Sequence, residues 1–271
     1  MTWIGIVILV VVGVALVIIP VLALVGVVTA MVEPIRVLKL RGPDPEHVLS
    51  APPPLLREAL DLGYKDLGVY VHESTLSTKY VNSILVSPDR LVALVITHAP
   101  RTDRRHVFVS VFPDGRTLRT CDIDPLADPT GLHLVEMFPF GSMRHRERFH
   151  RERIEELEEP IVAWNPPAIP RSLETLDRAR VERLVAMGRA RWRDAERTKY
   201  SYSPRGAMQL FGRGLATTEH TVTRTRQRIA QYEREEQRAG GVGGIRAAGR
   251  WPRTGAETPH GTRDEDPLQS A

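Results

Sequence analysis

The stretch HVFVSVFPDGRTLRTCDI, His106–Ile123, decides the fold. Val107, Val109 and Val111 alternate with their neighbours, and a period of two places successive side chains on opposite faces of a strand. Pro113-Asp114-Gly115-Arg116 follows, and Asp-Gly is a strong turn signal because glycine accepts the positive φ that a tight hairpin requires. Thr117–Ile123 then returns as the second arm.

Working outward, the same pattern recurs. Tyr80–Val86 and Leu91–Thr97 flank Ser87-Pro88-Asp89-Arg90, a second hairpin turn. The β-branched run LVALVIT reads as a central strand. Leu67, Val69 and Val71 alternate before it, and His133–Met137 adds a sixth strand. Strands joined by short turns lie antiparallel, because parallel pairs need long crossovers. Such a meander must bury a face. The helices available are Leu55–Leu62, stopped by Gly63, and one starting near Ser142, a side chain suited to an N-cap. Residues 55–160 are therefore expected to form a small α+β domain with an antiparallel sheet.

Beyond it, WNPPAIP (Trp164–Pro170) reads as a stiff linker, with 161–171 as the boundary. Residues 172–238 read as helical: one helix from Ser172 to about Glu196, broken by Pro204 and Gly206, then a polar one from about Thr217 to Arg238. From 239 to 271 glycine, charge and proline predict a disordered tail.

At the other end, Trp3–Val32 is uninterrupted by charge. A helix needs roughly 20 apolar residues to cross about 30 Å of hydrocarbon, so residues 3–32 are expected to be a single N-terminal transmembrane helix. A cleaved signal peptide is the rival, but the leading residues lack Lys or Arg and no small-residue cleavage site closes the run. Residues 33–54, with Pro43, Pro45 and Pro52-Pro53-Pro54, read as a juxtamembrane tether. Arg36, Lys39 and Arg41 would touch the lipid surface and, by the Lys/Arg bias, place the bulk of a single-pass cell-membrane protein in the cytoplasm.

Composition narrows the function classes. Thirty-seven Lys and Arg face 33 Asp and Glu, a balance too even for a dedicated nucleic-acid binder. One cysteine, Cys121, excludes an intramolecular disulfide and any multi-cysteine metal site. No phosphate loop or GxSxG elbow occurs, and the glycines of 240–244 sit in a polar tail. His145 and His150 stand five apart, about 140° around a helix, and face poorly for a shared metal. No metal or cofactor is expected.

Two sets of residues remain. His98, His106 and His133 with Asp103 or Asp122 would be the first to test for catalysis. Met137, Phe138, Phe140, Met143 and Phe149 form the densest apolar group outside the N-terminus, and would be either core or a docking surface for a partner protein. The leading functional expectation is a membrane-tethered interaction or scaffold module, its partners the bilayer and another protein, or itself through C-terminal coiled-coil helices. The alternatives are a membrane-surface hydrolase or transferase using histidine and aspartate, and a sensor for a small ligand.

Overall fold

The computed structural model describes residues 3, 21, 24–43, 54–73, 79–98, 105–122, 128–214 and 218–241. The chain divides into two units, 1–232, which holds both sheets, and 233–271, which carries the last turns of the C-terminal helix. Ten strands run in chain order: β1 (Ile35–Arg36), β2 (Leu40–Arg41), β3 (Lys65–Glu73), β4 (Lys79–Val86), β5 (Ala93–His98), β6 (Arg105–Val111), β7 (Thr117–Cys121), β8 (His133–Met137), β9 (Ala190–Trp192) and β10 (Lys199–Tyr202). The helices beside them that bear on the fold are α1 (Pro54–Asp61), α2 (Met143–Leu157), α3 (Ile169–Ala186), α4 (Pro204–Gly214) and α5 (Thr218–Gly241).

The main sheet has the order β2-β3-β4-β5-β6-β7-β8. Its ladders are antiparallel from β2 to β7. The last pair, β7–β8, is parallel, and 11 residues, 122–132, separate the two strands in sequence, where the hairpin-linked pairs are joined by short turns. The Asp-Gly turn forms as its chemistry requires: Gly115 has φ +83° and donates to the Phe112 carbonyl, and the Phe112 N–H meets the Arg116 carbonyl. The run LVALVIT contains β5, the central strand.

Both faces of this sheet are covered. Leu85, Leu94, Ile96 and Phe108 pack under Leu55, Leu56 and Ala59 of α1 and Met143 of α2. Tyr70, Ile84, Val86, Ala93 and Val109, of opposite parity, pack under Trp164 and under Ile169 and Leu173 of α3. The proline-rich stretch before α3 thus helps to form the second face. Trp164 is buried, its indole N–H donates to the Val109 carbonyl, and its backbone N–H donates to the Arg90 carbonyl. Helix α2 is capped by Ser142, whose hydroxyl accepts the His145 N–H, and closes on Glu158 in the left-handed region.

A second sheet, β1-β10-β9, interrupts the region expected to be helical to about Glu196. Helix α3 ends at Ala186, and Gly188, at φ +67°, turns the chain into β9. Behind this sheet lie Val37, Val181, Leu184, Tyr200, Tyr202 and Ala207. Gly206 approaches so closely that a Cβ there would stand 1.9 Å from the Arg189 carbonyl oxygen.

The expected transmembrane architecture is corrected here. Among the described residues no helix is long and apolar enough to cross a membrane. Much of the run expected to span, 4–20 together with 22 and 23, lies outside the described residues. The continuous helix described is 24–32, and nine residues at 1.5 Å each extend roughly 14 Å, half the hydrocarbon thickness. Its Val27, Ala30 and Met31 pack against the small-sheet core, and Arg193 Nη2 donates to the Met31 carbonyl at 2.6 Å. The single-span anchor, the tethered module, the bilayer as partner and the cell-membrane placement all rested on that helix and fall with it. What the structure shows is a mixed α+β domain with C-terminal helices. The C-terminal helix, read as a surface for self-association, turns Ile229 and Tyr232 onto Phe138 and Phe149 of its own chain.

Candidate anion-binding cleft

Residues 36–41 cross from the small sheet to the main one, and α3 holds them there with two carboxylates. Asp177 Oδ2 accepts the Leu38 N–H at 2.8 Å, and Glu174 Oε1 accepts the Leu40 N–H at 2.6 Å. Backbone donors thereby engage two of the acids that could have neutralised nearby cations.

The result is a cleft of about 720 Å³ between the 36–41 segment, the β3–β4 edge, the first half of α3, and β10. Arg36, Lys39, Arg41, Lys79, Arg171, Arg178 and Lys199 line it, against Glu73 and Glu174. Arg36 pairs with Glu73. Among the described residues the other six cations make no ion pair. Lysine and arginine side chains clustered this way in a concave, low-dielectric wall focus positive potential. Among the described residues no aromatic ring lines the cleft; Val37, Leu38 and Val71 supply its apolar wall.

Arg36, Lys39 and Arg41, read from sequence as lipid-surface contacts, are thus three walls of this cleft. The signal that could have found the rest is weak. Lys79, Arg171, Arg178 and Lys199 come from three other elements, and nothing local in their sequence marks them as neighbours.

The residues first suggested for catalysis separate. His98, His106 and Asp122 lie on the α1/α2 face. Ser83 Oγ and His98 Nε2 stand 2.9 Å apart, while Asp122 accepts the His106 backbone N–H at 3.3 Å and places Oδ2 3.2 Å from His106 Nδ1. That contact has ion-pair distance but not hydrogen-bond direction, and both His106 ring nitrogens lack a hydrogen bond within the protein. Ser83 is fully buried and His106 is 1% exposed, so neither presents itself to a substrate. His133 is on the opposite face, paired in register with Thr117. Asp103 lies outside the described residues.

The apolar set also divides. Phe138 and Phe149 stack with centroids 4.7 Å apart under Tyr232, and Met143 is buried beneath α1. Met137 is half-buried. Phe140 is 40% exposed, with the Arg226 guanidinium 5.5 Å from its ring centroid.

Three polar groups have inward roles that the sequence did not suggest. His150, on α2, is fully buried against the sheet between Ser110 and Thr120. Glu147 accepts from Tyr64 and Arg151, which also reaches Asp89; burial and the Glu147 charge push the Tyr64 phenol well up. On the other face Arg180 contacts Asp177 and Tyr200. Burial alone would lower its pKa, but those neighbours hold the guanidinium firmly charged.

Comparison with family models, curated proteins and solved structures finds no match.

Proposed function

We propose that this protein binds a small, multiply charged phosphorylated anion in the cleft between the 36–41 segment and α3. The observation that carries this reading is the six cations there that make no ion pair among the described residues. Gathering like charges in one concavity costs free energy through mutual repulsion, and a bound polyanion removes that cost. The volume lies in the range typical of small-molecule sites. The absence of aromatic lining argues against single-stranded nucleic acid, whose bases seek stacking platforms.

Calorimetric titration of the full chain with sodium tripolyphosphate tests the reading. Saturable binding that weakens steeply as salt rises is expected, since screening acts on exposed charges. A K39Q/K79Q/R178Q variant is expected to bind at least ~10-fold more weakly, a loss of about 1.4 kcal/mol. Binding equal in the variant and the parent, or none in the parent, overturns the proposal. Tighter binding of an oligothymidylate than of tripolyphosphate would move the ligand class to nucleic acid.

A further inference from the structure

Arg36, on β1 of the small sheet, reaches across to Glu73 at the end of β3 in the main sheet, where its guanidinium meets the Glu73 carboxylate. Strand register alone would not have joined them. In the β1–β10 ladder the residue facing Arg36 is Lys199. Two cations directly opposed across a ladder repel each other. In the β3–β4 ladder the residue facing Glu73 is Lys79. Glu73 nevertheless turns to Arg36, and among the described residues Lys79 makes no ion pair.

The cleft around this pair is positive by a wide margin. Seven cations and two carboxylates line it. Asp177, which accepts the Leu38 N–H, is matched by Arg180. Glu174 gives an oxygen to the Leu40 N–H, so Glu73 is the lining carboxylate whose oxygen rests on a cation. A carboxylate offers an arginine the same kind of charged acceptor oxygen as a phosphate does. The Arg36 and Glu73 side chains remain 38% and 31% exposed, so water screens the pair and a ligand can reach it.

We infer, resting on the cleft as a polyphosphate site, that Glu73 is a built-in competitor for the phosphorylated ligand. Without ligand it holds Arg36. A phosphate group takes Arg36 over, and Glu73 turns to Lys79, the cation that faces it across the ladder. A ligand carboxylate would only replace one acceptor by another of the same charge. A phosphoryl group, with a charge of about −1.5 to −2 at pH 7, gains more from Arg36 than Glu73 does. Arg36 is thus the contact that favours phosphate over carboxylate, and Glu73 sets the affinity a ligand must exceed.

Sodium tripolyphosphate is titrated by calorimetry at constant ionic strength into the full chain as parent, E73Q, E174Q, R36Q and R36Q/E73Q. E174Q removes the charge of the other lining carboxylate and keeps an acceptor for the Leu40 N–H, so it measures the effect of one lost negative charge acting through the field alone. E73Q is expected to bind at least ~4-fold more tightly than the parent, and E174Q within ~2-fold of it. In the R36Q background, with no guanidinium to release, E73Q should gain no more than E174Q does. If E73Q does not fold, E73D serves instead: it keeps the charge, shortens the reach to Arg36, and should still tighten binding ~2-fold. A parent that binds and an E73Q that binds equally or more weakly overturn the inference, and the pair is then a strut between the two sheets. A gain from E73Q of the same size with and without Arg36 also overturns it, and leaves simple repulsion as the cause. Either result leaves the cleft standing as an anion site. No tripolyphosphate binding by the parent overturns the reading of the cleft, and the role of Glu73 with it.

Discussion

His150 and His133 sit on opposite faces of one sheet, equally hidden from water and differently served. His150 Nε2 lies 3.0 Å from Ser110 Oγ, and Nδ1 lies 2.8 Å from Thr120 Oγ1. Ser110 spends its proton on the Leu91 carbonyl, so it accepts from Nε2–H, and Thr120 donates to Nδ1. Every polar atom of that ring is satisfied by a neutral imidazole. His133 has Thr117 Oγ1 at Nδ1, while its Nε2 has no hydrogen-bond partner among the described residues. One face uses a buried histidine to join α2 to two strands. The other holds its histidine by one side-chain contact, near Arg119 and Arg180, which Asp128 and Asp177 balance. A closed hydrogen-bond set anchors a buried ring more firmly than an open one.

Acid is the harshest way to break the comparison. Burial holds the His150 pKa down to about 3, with the Arg151 charge adding to the effect. Burial, then Arg119 and Arg180, hold His133 down to about 2. The unfolded chain takes up a proton on each near pH 6.5 while the folded chain refuses it. Stability is therefore full above that value and is lost as pH falls toward the folded pKa values, by about 1.4 kcal/mol per unit for each ring. By pH 4.5 the two together cost about 5 kcal/mol, comparable to the whole stability of many domains. Urea unfolding at stepped pH is expected to show a slope of nearly two protons between pH 6 and 4.

Next in size is Asp177→Asn. The amide can still accept the Leu38 N–H, so the segment beside the cleft keeps its anchor, but Arg180 loses its carboxylate. A buried charge left without its partner costs about 3–5 kcal/mol. The expected loss is read by chemical denaturation, and no loss would mean that Tyr200 alone keeps the guanidinium in place.

The histidines themselves come third. His150→Ala strands two buried hydroxyl groups and leaves a void, for about 3 kcal/mol. His133→Ala breaks one side-chain contact, so about 1 kcal/mol is expected. Equal losses in thermal denaturation would erase the distinction between the faces.

The sequence exposes this arrangement unevenly. The β6–β7 hairpin was legible because Asp-Gly dictates a turn and the valines alternate on either side of a known point. The sandwiching of the sheet was not. Only α1 and α2 were expected to cover it, and Trp164 with the first turn of α3 lay within what looked like a linker. Strands β9 and β10, three and four residues long, do alternate, Ala190 and Trp192 about Arg191 and Tyr200 and Tyr202 about Ser201, but two such positions apiece are too short a run to read as a strand. His106 and His133 were grouped because both lie on strands. Their opposite facing depends on strand parity, and parity cannot be carried across the connection between β7 and β8. The apolar run at the N-terminus misled through its strength: hydropathy alone cannot distinguish lipid from the protein surface against which Val27, Ala30 and Met31 rest.

The smallest effect concerns the cleft. Lys39, Lys79 and Arg178 make no ion pair among the described residues, so replacing all three by glutamine removes repulsion and breaks no described ion pair. Stability should change by less than about 0.5 kcal/mol, with a small gain as readily as a loss. Measured by urea unfolding at low salt, that near-neutrality is itself informative. Charges retained for the fold show a cost when removed, whereas charges retained for a ligand show it only when the ligand is added. A loss of several kcal/mol would mean that these side chains hold the 36–41 segment in place, and the cleft would then be a structural seam like the one His150 closes on the other face.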